Sequence, residues 1–216
     1  MKQFNRGACV GHAVGWGLSV LLLSPMIGRA RGAEAQNEAS SGAPTAGVMI
    51  RKWPQAARVA AAAMIEKYGE PIYVTEGVLV WINNGPWRKT VVYQPEFLGK
   101  RSRDFIEQTI AYRVPFEEIR AVKRFDPRIK VNALRGQLSI RTSSESSNFL
   151  AMNLADEVIE GRRGAQEARA FRRKTVELSK AGKSSSYMDR LLFPDRGGAM
   201  SFGLFDPADY NWNTLP

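Results

Sequence analysis

The chain has 216 residues, 44% hydrophobic and 24% charged, with a formal net charge of +10. That length suits one globular domain with appended segments and supplies a core without cross-links. The one Cys and the one His, Cys9 and His12, both lie in the first 35 residues. A chain cut there has no disulfide, no His or Cys metal ligand, no imidazole base and no thiol nucleophile, which excludes Ser-His-Asp and Cys-His hydrolases.

Lys2 and Arg6 precede the mostly apolar run Val14 to Gly28, and small-x-small patterns follow at Ala30-Arg31-Gly32 and Ala33-Glu34-Ala35. This order reads as a secretory signal over residues 1–35, cut at 32/33 or 35/36. The apolar run is about 15 residues, broken by glycines and Pro25, where a membrane helix needs ~20. The alternative is an uncleaved N-terminal anchor. The expected destination is therefore the periplasm or the exterior, with no transmembrane helix in the mature chain. The first 35 residues hold four basic side chains and one acidic one, so +7 of the total +10 stays with the mature chain. A basic exported protein meets anionic polymers, membrane surfaces or acidic protein partners.

Residues 36–50, small and proline-broken at the start, read as a flexible linker, and the domain proper spans 51–182. "WPQAARVAAAAMIEKYGEP" predicts a helix opened at Pro54 and closed by Gly69 and Pro71, with Val59, Ala62, Ala63 and Ile65 toward the core. "LVWINNGPWRKTVVY", Leu79 to Tyr93, predicts a hairpin. Pro86 cannot take the left-handed position of a three-residue loop 84–86. Two-residue loops at Asn84-Gly85 or Asn83-Asn84 remain. Either puts Trp81 and Trp87 on opposite faces, with Trp81 a core anchor and Trp87 the more exposed. Trp87, Arg88 and Lys89 at the tip are binding candidates, because indoles stack on sugars and bases while cations take phosphate or carboxylate.

"DFIEQTIAYRVP" predicts a strand ending near Val114, and "PFEEIRAVKRF" a short helix with Phe116, Ile119 and Val122 inward. "RIKVNALRGQLSIRTS" predicts a second hairpin about Arg135-Gly136. Val131 then faces Ile140, Ala133 faces Leu138, and Lys130 lies opposite Arg141. "SNFLAMNLADEVIEG" carries Leu150, Leu154 and Val158 at helical spacing and predicts a largely buried helix. "AQEARAFRRKTVELSKAG" predicts another, with Ala168, Phe171, Thr175 and Leu178 on one stripe. Residues 183–216 read as an irregular tail docking Leu191, Leu192 and Phe193.

The order of Trp81, "NNGPW" with its basic pair, and "NFLAMNLADEVIEG" resembles a family of exported bacterial proteins of unknown function, over about residues 53–180. The resemblance implies no activity, ligand or catalytic residue. Members of that family often carry histidines between the first hairpin and the next strand, where this chain has "QPEFLGKRSRDF". Any role resting on them is lost here.

No phosphate-binding glycine loop, nucleophile elbow, zinc motif or EF-hand loop occurs, and no cofactor is expected. Paired carboxylates are the remaining catalytic option. The candidates are Glu70 with Glu76, Glu117 with Glu118, and Asp156, Glu157 and Glu160. On a helix bordered by Arg162 and Arg163, the last set reads as ion-pairing residues. Arg162 to Lys183 concentrates eight basic side chains: Arg162, Arg163, Arg169, Arg172, Arg173, Lys174, Lys180 and Lys183. The expectation is an α+β domain: an antiparallel sheet of about five strands from two hairpins plus a linking strand, helices mainly on one face, and an irregular C-terminal tail. The leading function is non-enzymatic binding of an anionic partner or surface through Arg162, Arg163, Arg169, Arg172, Arg173 and Lys174, extended by Lys100, Arg101 and Arg103. A carboxylate-based hydrolase of cell-wall or polysaccharide material is the rival, and nucleic-acid binding comes third.

Overall fold

The structure, a computed structural model, describes residues 45–99 and 103–196. The expected signal, the linker as far as residue 44, Lys100, Arg101 and the tail beyond residue 196 lie outside the described residues. The fold is α+β, with an open antiparallel sheet of six strands. These are β1 (Tyr73–Val74), β2 (Val78–Asn84), β3 (Trp87–Tyr93), β4 (Ile106–Ala111), β5 (Lys130–Asn132) and β6 (Gln137–Thr142), in the order β1-β2-β3-β4-β6-β5. The strand beyond the five expected is the short edge strand β1. The helices are α1 (Ala46–Met49), α2 (Gln55–Tyr68), α3 (Ile119–Phe125), α4 (Glu145–Ile159), α5 (Ala165–Lys180) and α6 (Ser186–Asp189).

Alternation along the strands divides the sheet. One face presents Leu79, Trp81, Val92, Ile106, Ile110, Leu138 and Ile140, all buried. Over β4 and β6 this face packs on α4, which is buried almost all round and contributes Phe149, Leu150, Met152, Leu154 and Val158. Over β2 and β3 it packs on α2. The opposite face carries a smaller apolar cluster of Val78, Val80, Val91 and Tyr93, then turns polar at Glu107, Thr109, Ser139 and Arg141.

Several local expectations are corrected. The stripe of α2 that meets the sheet is Ala57, Ala61 and Met64, while Val59 is exposed. A helix that is alanine at so many positions has no side-chain contrast to mark its inner face, so the sheet selects the stripe that lets the backbones approach. Residues 46–50 belong to the fold, since Ala46 and Ile50 are buried against α2 and β2. Phe116 points to solvent, because Phe116–Glu118 is a 3-10 turn and α3 begins only at Ile119. The second hairpin has a four-residue loop, 133–136, and pairs Val131 with Leu138 and Lys130 with Ser139. Asn132 accepts the Arg135 N–H at 3.0 Å, which closes that wider loop. The expected Lys130–Arg141 opposition is thereby avoided, and Lys130 pairs with Glu107 at 3.0 Å.

The first hairpin closes at Gly85-Pro86, with Asn84 opposite Trp87. Gly85 supplies the positive φ of +63° wanted at the first central position of a II′ turn, and Pro86 needs only its own negative φ at the second. Asn83 is also left-handed, at φ +52°. That residue breaks the alternation and turns the tip, so that Asn84 and Trp87 both reach the helical face, where Trp81 already lies. Trp87 is 1% exposed and Trp81 3%, so the expected division of the rings between two faces, with Trp87 the more open, is overturned.

Candidate functional site

Three tryptophans of the fold direct their indole N–H groups inward. Trp53 donates to the Glu76 carbonyl at 2.8 Å, Trp81 to the Gly69 carbonyl at 2.8 Å and Trp87 to Glu145 Oε1 at 2.6 Å. All three rings are buried, which removes them as a stacking platform for a polymer.

Glu145, in the first turn of α4, is the centre of a buried polar cluster. Its Oε1 accepts from Tyr68 Oη at 2.7 Å, Trp87 Nε1 at 2.6 Å and Gln108 Nε2 at 3.0 Å, and its Oε2 accepts from Lys67 Nζ at 2.5 Å. Burial pushes the Glu145 carboxyl up, but the hydrogen bonds from Lys67, Tyr68, Trp87 and Gln108 outweigh it and hold the group below its ordinary value. Burial, and the hydrogen bond to Glu145, push the Tyr68 phenol up to about 12. Burial alone would lower Lys67, yet its bonds to Glu145 and Tyr68 raise it. A polar row continues from Gln108. Thr90 Oγ1 accepts from Gln108 Nε2 at 3.3 Å and from Asn84 Nδ2 at 2.9 Å, while Gln108 Oε1 accepts from Asn148 Nδ2 at 2.9 Å. Asn148 Oδ1 accepts in turn from Thr142 Oγ1 at 2.7 Å. The row ties β2, β3, β4, β6 and α4 together. A carboxylate with four donors and a lowered pKa is a permanent anion that locks elements, and a poor general base near neutral pH.

The acids near the end of α4 are engaged as the sequence suggested. Asp156, buried, accepts from Tyr112 Oη at 2.8 Å and from Arg162, and pairs with Arg196 at 3.2 Å. Arg196 Nε has no aligned hydrogen bond, so that contact is Coulombic rather than directional. Glu157 accepts from Arg163 Nε at 2.6 Å and Tyr187 Oη at 2.5 Å. Glu160 pairs with Arg196 at 2.6 Å.

The basic cluster therefore divides. Arg162 and Arg163 hold Asp156 and Glu157, and Arg163 also lies 4.5 Å from the Phe171 ring centroid. Arg169 donates to the Arg124 carbonyl. Arg172 pairs with buried Asp126, whose carboxyl burial raises but Arg128 and Arg172 hold below its ordinary value. Arg162 and Arg163 thus bind back to the end of α4, while Arg169 and Arg172 fasten α5 to the end of α3. Arg173, Lys174, Lys180 and Lys183 are exposed and have no ion pair among the described residues. Arg103 is exposed away from this helix in sequence. At the hairpin tip, Arg88 lies 3.7 Å from Asp195. Lys89 is half-buried, and burial lowers its pKa against the opposing effect of Glu107.

The sequence missed Glu145, Lys67, Tyr68 and Gln108 as a group. The one local signal was an acid directly after a Ser N-cap, a position that the helix dipole favours. It also missed a cleft of about 640 Å³ between the hairpin tip, the end of β4 and residues 190–195. Among the described residues that line the cleft Asp195 is the one carboxylate, so they do not assemble the pair of acids needed for glycoside hydrolysis. Among the described residues, no group of three or more His, Cys, Asp or Glu is arranged to hold a metal, and no helix is long and apolar enough to cross a membrane.

No family model, no curated protein and no solved structure matches the chain.

Proposed function

We propose that this is an exported, non-enzymatic binding domain whose α5 face contacts an anionic surface. One observation carries the reading: Arg173, Lys174, Lys180 and Lys183 face solvent without a carboxylate partner among the described residues, although the same helix has Arg172 fastened by Asp126. Leu178, 45% exposed, sits among them and adds an apolar contact. The resemblance to exported proteins of unknown function bears on export alone and brings no ligand or catalytic residue.

Each Lys or Arg near an anionic surface contributes about 1 kcal/mol, screened by salt. Replacing Arg173, Lys174, Lys180 and Lys183 together by glutamate removes binding to anionic vesicles and shortens retention on heparin at low salt. Retention and vesicle binding equal to the parent would overturn the proposal. Export is tested separately, by finding the protein in a periplasmic or culture fraction with a mature N-terminus at residue 33 or 36. An intact N-terminus in the cytoplasm would refute that part.

A further inference from the structure

The cleft beside the hairpin tip is built from three parts that are far apart in the chain. One wall is the Gly85-Pro86 turn with Arg88, the floor includes Ile110, and the other wall is the segment Arg190–Asp195. That second wall is held in place. Asn153, 2% exposed on α4, donates to the carbonyls of Tyr187 at 3.0 Å and Arg190 at 2.8 Å and accepts the Leu192 N–H at 2.8 Å. Phe193 adds an edge-on contact with Tyr112, ring centroids 5.5 Å apart. Three backbone bonds to one buried amide fix the segment, so the cleft exists before any ligand arrives. Its volume, about 640 Å³, falls in the range typical of small-molecule sites.

The lining has two characters. Pro86, Ile110, Leu191 and Phe193 make an apolar interior, and two arginines, Arg88 and Arg190, complete the lining. Arg88 meets Asp195 at 3.7 Å, longer than a direct hydrogen bond. The Asp195 side chain is 69% exposed, so the contact is water-screened and open to displacement by a better-placed anion.

We propose that this cleft binds a single-chain amphiphile, with its acyl chain against Ile110, Leu191 and Phe193 and its anionic head between Arg88 and Arg190. The planar fork of arginine suits a carboxylate or phosphate head, and the apolar lining rewards a chain over a bare anion. The site is separate from the α5 face and does not depend on it.

Calorimetric titration of the whole protein with dodecanoate and dodecyl phosphate, each below its micellar concentration, tests this and separates the two head groups. Saturable binding is expected for at least one, with dodecanol weaker by about tenfold or more, since a charged hydrogen bond is lost. Acetate, which lacks the chain, gives no detectable heat. The double variant Arg88→Ala with Arg190→Ala weakens binding by about tenfold or more, and Asp195→Ala tightens it by removing the competing carboxylate. Three results would each overturn the proposal: no saturable binding of either amphiphile, equal affinity for dodecanol, or an arginine double variant that is folded yet binds as the parent does. Vesicle and heparin binding report α5 whereas monomeric amphiphile reports the cleft, so the two readings fail independently.

Discussion

The indole N–H of Trp87, on β3, donates to Glu145 Oε1, at the start of α4, across 58 positions of sequence. The ring above it stacks at a tilt on Phe149, centroids 4.8 Å apart. One residue thus joins the hairpin tip to the central helix by both a charged hydrogen bond and ring packing. Replacing Glu145 by Gln leaves Lys67 without its anion and brings amide hydrogens to donors. The expected loss is about 2–4 kcal/mol in urea unfolding. Trp87→Phe, which keeps a ring but deletes the donor, costs about 1–3 kcal/mol. Because both variants break one bond, the double variant loses less than the sum, and strict additivity would show that the pair is not coupled.

Acid should expose the same dependence. Glu145 and Asp126 have folded pKa values below their ordinary 4.5 and 3.8. The folded state therefore binds their protons less readily than the unfolded chain. Their stabilisation is complete above the ordinary values and is lost as pH falls through the lowered folded values. Unfolding free energy should be flat near neutrality and drop below about pH 4.5. In Glu145→Gln the drop is smaller, since one of the two linked groups is gone. An acid limb identical to the parent's would show that Glu145 is not among the linked groups. Tyr68 works at the other limit: its phenol, raised to about 12, favours the fold fully below its ordinary value of 10 and loses that contribution as pH rises toward 12.

The parts legible in the sequence were those set by local periodicity. The run from Phe149 to Ile159 repeats apolar residues at helical spacing on every side, and that describes a helix buried all round whatever its neighbours are. Leu138 and Ile140 alternate with polar residues, so their face could be read. Register could not, because alternation is unchanged when a hairpin slips by two residues, and only the Asn132 side chain bonding to Arg135 N–H selects the longer loop. The Trp87 face depended on a left-handed Asn83, which Asn permits but does not require. The Glu145 cluster was invisible for a different reason. Its donors lie 78, 77, 58 and 37 positions away, and no short pattern encodes a meeting of four separate elements. The basic run misled in the opposite way: charge counts cannot distinguish Arg172, held by a buried acid, from Lys174, held by none.

The tip of the first hairpin is fixed by contact as well as by conformation. A Cβ added at Gly85 would sit 3.0 Å from Tyr68 Cε1, on a residue with φ +63°. Gly182, at φ +78°, has nothing within 4 Å of the same added atom. Gly182→Ala should therefore cost only the left-handed backbone, about 1–2 kcal/mol. Gly85→Ala adds displacement of the Tyr68 ring and its bond to Glu145, for a total of about 2–4 kcal/mol. Thermal unfolding of the two variants measures the difference. Equal losses would mean that Tyr68 yields without disturbing Glu145.

Arg172 and Lys174 are two positions apart on α5 and should behave oppositely. Arg172 pairs with Asp126, which is 3% exposed and is otherwise held by Arg128 at 3.0 Å. Arg172→Ala leaves part of a buried carboxylate unsatisfied and should cost about 1–3 kcal/mol of stability. Lys174 is exposed, and Lys174→Ala should change stability by no more than about 0.5 kcal/mol. On anionic vesicles the order reverses: Lys174→Ala weakens binding, while Arg172→Ala, if folded at the assay temperature, binds nearly as the parent does because its charge was already neutralised within the fold. Urea unfolding and vesicle sedimentation of the same two preparations give both readouts. Equal vesicle affinity for the parent and Lys174→Ala, together with a loss for Arg172→Ala, would place the contact on the face of α5 that packs toward α3 and contradict the solvent-facing assignment.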